Sequence, residues 1–330
     1  MSDAEWTLVR DLLPVPGWLA GQGGRPEGYC HRQMIDAVRY LVDNGIKWRA
    51  MPSGFPPWPR VYAFFARWRD TGLVTELHER LHQALRRVQG REPEPSTAVV
   101  DSQSVKADAT VALDSRGFDA GKRINRRKRH LLTDTLGPLL DVLVTPASTT
   151  DRDAARMLLP TAASRFRRLV RVWADGGYTG HLADWTIQHL GLVLDVVRRR
   201  EDVRGFQALP RRWVVERSFA WLLRSRRLVR DYERRTDTSE AVIRWSMIAL
   251  MNRRLADRQH QHHGACCDAG SVNLPGFAST SQPRSTSLFR RALAPSTQEA
   301  DALSQPSTTT VRRASSPSAP ASVAAAITAW

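Results

Sequence analysis

The alternation of apolar and polar positions divides the chain into three parts. In "QMIDAVRYLVDNGIKW", Met34, Val38 and Leu41, with Ile35 and Val42 beside them, recur at the spacing of one helix face, and Gly45 supplies a stop. A second helix is predicted in "WPRVYAFFARWRDTG", where Val61, Phe64, Phe65 and Trp68 form the inner stripe and Arg60, Arg67 and Arg69 lie elsewhere. Pro56, Pro57 and Pro59 separate the two. Residues 1–90 therefore read as a helical region, compatible both with a helix-turn-helix DNA reader and with a plain bundle.

From residue 96 the texture changes to short β runs between helical patterns. Strands are predicted at Thr97–Asp101, Lys128–Asp134, Leu139–Thr145, Leu169–Asp175 and Leu192–Val197. Helices are predicted near Asp153–Phe166, capped by Thr150 or Asp151, and near Leu182–Leu190 and Trp213–Asp231. Three strands in succession, then strand–helix alternation, predict an α/β domain over residues 96–255 with a mixed sheet flanked by helices. After about Leu255 the periodicity is lost. The Ser-, Thr-, Pro- and Ala-rich stretch 256–330 reads as a disordered low-complexity tail, because it offers too little apolar surface to offset chain entropy.

Charge adds a partner to this picture. The chain carries 49 Lys and Arg against 33 Asp and Glu, a net charge of +16. Such a field favours a polyanion, nucleic acid above all. The N-terminus "MSDAEWTLVRDLLP" has acids where a secretory signal has basic residues, and no run of about eighteen apolar residues exists. The expected compartment is the cytoplasm, with no membrane partner. Three cysteines give no disulfide framework. The cluster "HQHHGACC" (His260, His262, His263, Cys266, Cys267) fits no usual zinc spacing.

Three acids stand out by context. Asp101 ends "STAVVD", Asp175 ends "LVRVWAD", and Glu216 sits in "WVVERSFAWLL". An open α/β sheet presents functional groups at strand ends, and Gly176 and Gly177 are expected to let the chain turn sharply behind Asp175 without a Cβ clash. Carboxylates in a basic chain are reconciled by divalent cations, which take hard oxygen ligands and share phosphate oxygens. Asp134, Asp141 and Asp195 compete for the third ligand position. The run "GKRINRRKRH" has six Lys or Arg in ten residues and would position DNA through its phosphates. Trp173, Trp213 and Trp221 read as core, and Ser102 and Ser104 have no His near them in sequence to make a nucleophile.

The segments "VVDSQSVKA", "KRHLLTDTLG", "VWADGGYTG" and "RRWVVERSFAWLLRSRRLVRDYERR", with the helical leader "IDAVRYLVDNGIKWRAMPSGFPPWPRVYAFFARWRDTG", resemble the DDE transposases of bacterial insertion sequences, in the broad group named after insertion sequence five. The resemblance spans about residues 5–255. It implies a ribonuclease-H-like core, a Mg²⁺ cofactor for which Mn²⁺ substitutes, and cutting and joining of DNA between the element's terminal inverted repeats and target DNA. It further implies a homo-oligomer that holds two ends together and a nucleoid-associated location. It assigns Asp101, Asp175 and Glu216 as catalytic metal ligands. Lys106, Lys122, Arg123, Arg126, Arg127, Lys128, Arg129, Arg212 and Arg224 are the expected DNA contacts. Arg212 fits the arginine that the family places four residues before the Glu, whereas Leu209 and Leu223 depart from its companion Tyr and Lys. Only 40 residues separate Asp175 from Glu216, which predicts a core without a large insertion. The tail is atypical of the resemblance and is read as read-through or a frameshift; a catalytically inactive, transposase-derived DNA-binding protein or repressor is the alternative.

Overall fold

The computed structural model describes residues 1–15, 28–119, 123–197 and 210–268, and the side chains of these except at 124, 210–212 and 259–268. Helix α1 (Asp3–Arg10) opens on a capping box, with Ser2 Oγ accepting from Glu5 N and the Glu5 carboxylate accepting from Ser2 N. Helices α2 (His31–Asn44), α3 (Trp58–Asp70) and α4 (Leu73–Val88) follow, and the inner stripes read from the sequence are the ones they bury. Gly45 stops α2 at φ +68, and a Cβ there would also stand 3.0–3.2 Å from Arg226 and the Arg227 backbone. The α2–α3 connection is the whole of residues 45–57, longer than the three- or four-residue turn of a helix-turn-helix. Nor does Arg69 face outward: its guanidinium is enclosed, hydrogen-bonded to Thr238 at 2.7 Å and paired with Asp70.

Five strands follow the predicted order, with an unpredicted short one inserted. They are β1 (Thr97–Lys106), β2 (Gly117–Asp119), β3 (Ile124–Asp134), β4 (Leu139–Pro146), β5 (Arg171–Ala174) and β6 (Val193–Val196). β3 pairs antiparallel with β1 on one edge and with β4 and β2 on the other; β1 pairs parallel with β5, and β5 with β6. This half-antiparallel, half-parallel order agrees with the ribonuclease-H-like core that the resemblance implies. Helices α5 (Asp151–Arg165) and α6 (Leu182–Leu190) cover one face, where Leu158, Leu159 and Leu182 pack on Ala98, Val100 and Val172. Helices α7 (Pro210–Leu223) and α8 (Thr236–Asp268) share the other face with α1–α4, where Val215, Phe219 and Trp245 join Val99 and Leu131. Met1–Val272 is one compact unit, so the helical region and the sheet share a core.

Several predicted boundaries change: β1 runs past Asp101 to Lys106, β3 begins at Ile124 and not at Lys128, and two helix ends move. The helix expected to reach Asp231 stops at Leu223, gives way to a 3-10 turn at Arg226–Leu228, and continues as an extended segment in which Asp231 bridges Ala107 beside β1. The loss of pattern read after Leu255 does not end α8, which runs to Asp268. Residues 269–330 of the expected tail lie outside the described residues, as do the side chains of the His260–Cys267 cluster.

Buried charges tie the layers together. Asp134 is fully enclosed and accepts from His82 Nε2 at 2.9 Å and Arg86 Nη1 at 2.5 Å, which pins the end of β3 to α4. Burial alone would raise its pKa, but these partners hold it at about 2 against a usual 3.8. Asp141 is likewise enclosed, between Arg244 of α8 and Arg165 of α5 at 2.6 and 3.1 Å. Both acids, weighed from the sequence as metal ligands, are structural instead. Replacing Asp134 by Asn is expected to cost about 3–5 kcal/mol, since Arg86 would stay in the core without its counter-charge. Urea unfolding of the two proteins measures this, and a loss below about 1 kcal/mol would contradict the role. A carboxyl depressed in the fold stabilises above 3.8 and loses that contribution as pH falls towards 2, so wild type should lose more stability across that window than the Asn variant.

Candidate active site

The parallel pairing of β1 and β5 ends at Val99 opposite Trp173, and one further step of two residues on each strand reaches Asp101 and Asp175. Register alone thus brings the two acids level, where the strands part. Each carboxylate is oriented by a neighbouring backbone N–H: Asp101 Oδ1 accepts from Ser102 N at 2.7 Å and Asp175 Oδ1 from Gly177 N at 2.9 Å. Neither Gly176 nor Gly177 has a positive φ, so conformational freedom is not what the turn needs. The need at Gly177 is space: a Cβ there would stand 3.0 Å from Asp175 Oδ1 and 3.2 Å from Asp151 Oδ2.

Asp151 is the site residue that the sequence offered only as a possible helix cap; Thr150 takes the cap, its Oγ1 accepting from Asp153 N, which leaves Asp151 to face the acids. Its carboxylate lies 3.4 Å from Lys128 Nζ and 3.7 Å from His130 Nδ1. His130 is buried, which lowers its pKa to about 4, so it stands beside Asp151 as a neutral ring. The β1–β3 register also sets His130 opposite Ser102, a proximity hidden in the sequence, but its Nε2 pairs with Thr145 Oγ1 at 3.0 Å. Tyr178, 1% exposed, completes the group. Burial and then the charges of Asp101, Asp151 and Asp175 push its phenol well above its usual pKa, and its hydroxyl has no hydrogen-bond partner among the described residues.

The third expected acid lies on a helix that packs against β1 and β5. Glu216 is exposed on α7, beside the buried row Val215, Ser218, Phe219 and Leu222. Among the described residues no three His, Cys, Asp or Glu side chains converge to hold one ion. Asp195 pairs with Arg171 at 3.3 Å.

The basic run divides by the pleat of β3. Arg127 and Arg129 are fully enclosed on the α8 side, donating to the carbonyls of Glu233 and Leu228 at 2.7 Å each, so they are not phosphate contacts. Alternation was available in the sequence, but nothing there said that the segment after α7 would cover this face. Lys128 points the other way, towards Asp151, and also donates to Thr149 O at 3.1 Å. Lys106, opposite Arg126 in register, and Arg123 are accessible at the far end of the β1–β3 pair, and Arg224 is exposed after α7. Lys122 and the side chain of Arg212 lie outside the described residues. Trp213 is exposed and Trp173 and Trp221 are half-buried, so none of the three is a fully enclosed core residue. No helix among the described residues is long and apolar enough to cross a membrane.

Comparison with known proteins gives this arrangement a family. Residues 1–78 match the profile described as "Putative transposase of IS4/5 family" and residues 92–251 the profile "Transposase DDE domain". A protein of Burkholderia cepacia described as "Putative transposase for insertion sequence element IS402" is 32% identical over 124 residues, which are 36% of this chain and 58% of that one. The chain thus spans under two thirds of that relative. A 16.2 kDa protein of insertion element IS402 from the same organism is 28% identical over 113 residues, 32% of this chain and 73% of that one. The crystal structure of the Mos1 strand transfer complex aligns with 71% of this chain and 78% of that one at 12% identity and a TM-score of 0.27. With one transposase profile matched over residues 1–78 and a transposase DDE domain profile over residues 92–251, the chain belongs to the DDE transposases of bacterial insertion sequences.

Proposed function

We propose that this protein cuts and joins DNA at the ends of an insertion sequence, with Asp101, Asp175 and Glu216 as its catalytic acids. The observation that carries the reading is the register that levels Asp101 with Asp175 at the end of the β1–β5 pairing. Two carboxylates with hard oxygen donors suit Mg²⁺, which is usually held by one or two carboxylates plus waters and substrate phosphates. The donor set therefore fits the ion, with Asp101 and Asp175 holding it and Glu216, exposed on the neighbouring helix, as the third acid. When bound, Mg²⁺, or Mn²⁺ in its place, supplies positive charge for an in-line displacement at phosphorus.

The protein's own groups do the rest. Ser102 N and Gly177 N hold the two carboxylates in place before any substrate arrives. Lys128 offsets the charge of Asp151, so the acid cluster is less repulsive to a phosphodiester than three bare carboxylates would be. Lys106, Arg123 and Arg126 are the phosphate contacts this reading keeps from the basic run, with Arg224 beyond α7. Water attacks the phosphodiester at the element end first and breaks its P–O3′ bond; the freed 3′-hydroxyl then attacks a target phosphodiester and displaces the target's own 3′-hydroxyl, in an oligomer that holds both ends.

Cleavage of a labelled duplex carrying the element's terminal repeat tests this. Wild type should cut in Mg²⁺ or Mn²⁺, and Asp175→Asn should lose roughly 10³-fold or more while still binding. Binding by both with cutting by neither would favour the repressor reading, and equal cutting by both would remove Asp175 from the mechanism. Gly177→Ala should keep the fold, since φ is ordinary there, but reduce cutting about 10–100-fold by crowding Asp175 and Asp151. Thermal unfolding alongside the cleavage rates separates the two effects; full activity would mean the carboxylates tolerate the shift.

A further inference from the structure

Where α7 meets α8, four arginines gather around one tryptophan. The guanidinium of Arg254 stands over the Trp221 ring at 4.0 Å from its centroid, and that of Arg217 at 4.9 Å. The ring is braced from below by the β3–β4 turn: Gly137 has φ +97, and a Cβ there would lie 2.7 Å from the Trp221 ring carbons. Arg217 is also fixed to that turn, Nη2 donating to Leu136 O at 2.9 Å. Arg258 lies one helical turn beyond Arg254, its Nη1 3.4 Å from Val88 O, and Arg224 is exposed just past the end of α7. Among the described residues no carboxylate pairs with any of the four, although Arg80 and Arg168 elsewhere are each matched to a Glu.

Like charges brought together on rigid helices cost free energy unless an anion answers them. Here burial, and then Arg217, Arg224 and Arg258, lower the pKa of Arg254, so the crowding is felt. Cation–π contact with Trp221 holds the guanidinium planes without consuming their outer N–H donors, which suits them to phosphate oxygens. Arg254 and Arg258 are spaced by about 6 Å along α8, and Arg217 on α7 and Arg224 just past its end are near enough for their charges to act on Arg254. The result is a row across two helices, the shape that follows a polymer backbone.

We infer that this α7–α8 face, built on Arg217, Trp221, Arg224, Arg254 and Arg258, docks the phosphate backbone of duplex DNA outside the acidic cluster. The inference rests on the DNA-acting reading and adds a surface to it. Its contacts are to phosphates alone and therefore independent of base sequence.

Fluorescence anisotropy with a labelled duplex of about 30 base pairs and arbitrary sequence, titrated across about 50–200 mM salt, tests it. Arg254→Gln/Arg258→Gln should reduce the slope of log K against log salt by about 1.8, near 0.9 per lost contact, and Arg254→Lys/Arg258→Lys should keep most of it. Arg80→Gln/Arg168→Gln removes the same charge from acid-paired positions and should leave the slope near wild type. An unchanged slope in a folded Arg254→Gln/Arg258→Gln protein, or an equal fall in the acid-paired control, overturns the assignment while leaving DNA binding intact. No duplex binding by wild type overturns it together with the functional reading. Should the Gln variant fail to fold, phenylglyoxal modification of wild type decides: DNA should shield Arg254 and Arg258, and unchanged labelling of both overturns the assignment.

Discussion

The burial of Arg127 and Arg129 on one side of β3 is the constraint on which the rest of the structure depends. Removing a guanidinium from water costs several kcal/mol unless its donors are met. Arg127 meets them with Ser115 Oγ, the carbonyls of Glu233 and Arg234, and Asp231 at 3.4 Å; Arg129 donates from its two Nη atoms to the carbonyls of Leu228 and Arg230, while its Nε has no hydrogen-bond partner among the described residues. The segment between α7 and α8 is therefore bound to the middle of the sheet, and both helices are set against the same face. Arg227 extends the tie, pairing with Glu233 and reaching the carbonyl of Ile46 after α2. One strand of alternating cations thus joins the sheet, the last two helices and the helical leader.

The same pleat shapes the site. With Arg127 and Arg129 committed inward, Lys128 and His130 must project from the opposite face, where α5 starts and presents Asp151. That places a balancing cation and a neutral imidazole next to the acids that β1 and β5 bring level. A run that looks like a uniform phosphate grip is in fact two devices, a core cross-link and a support for Asp151. The remaining positive charge lies at the end of the β1–β3 pair and on the α7–α8 face.

Where the sequence was legible, one local rule decided each outcome. Helix faces in α2 and α3 follow from apolar spacing, because a stripe of Met34, Val38 and Leu41 has one way to be buried. The succession of strands along the chain follows from apolar runs between turn signals, and Asp101 and Asp175 stand out because each ends such a run. Less legible were α8, whose buried face is interrupted by charged residues, and the stop of α7 at Leu223, which no Gly or Pro announces. The stop is imposed by the enclosed arginines of β3, a long-range demand with no local signature. Asp151 was hidden for a similar reason: next to Thr150 it looks like a capping residue, and only the packing of α5 against the turn after Asp175 turns it towards the acids.

By itself the sequence determined the helical leader, the succession of strands along the chain, the basic character of the chain and the two acids that end apolar runs, because each depends on neighbours within a few residues or on total charge. Only the tertiary structure decided which arginines are interior, which acids are structural ties, where Glu216 stands, and that Arg217, Arg224, Arg254 and Arg258 share one face. Those outcomes depend on which distant segment covers a given side chain, and burial changes a charge from a surface contact into a cross-link.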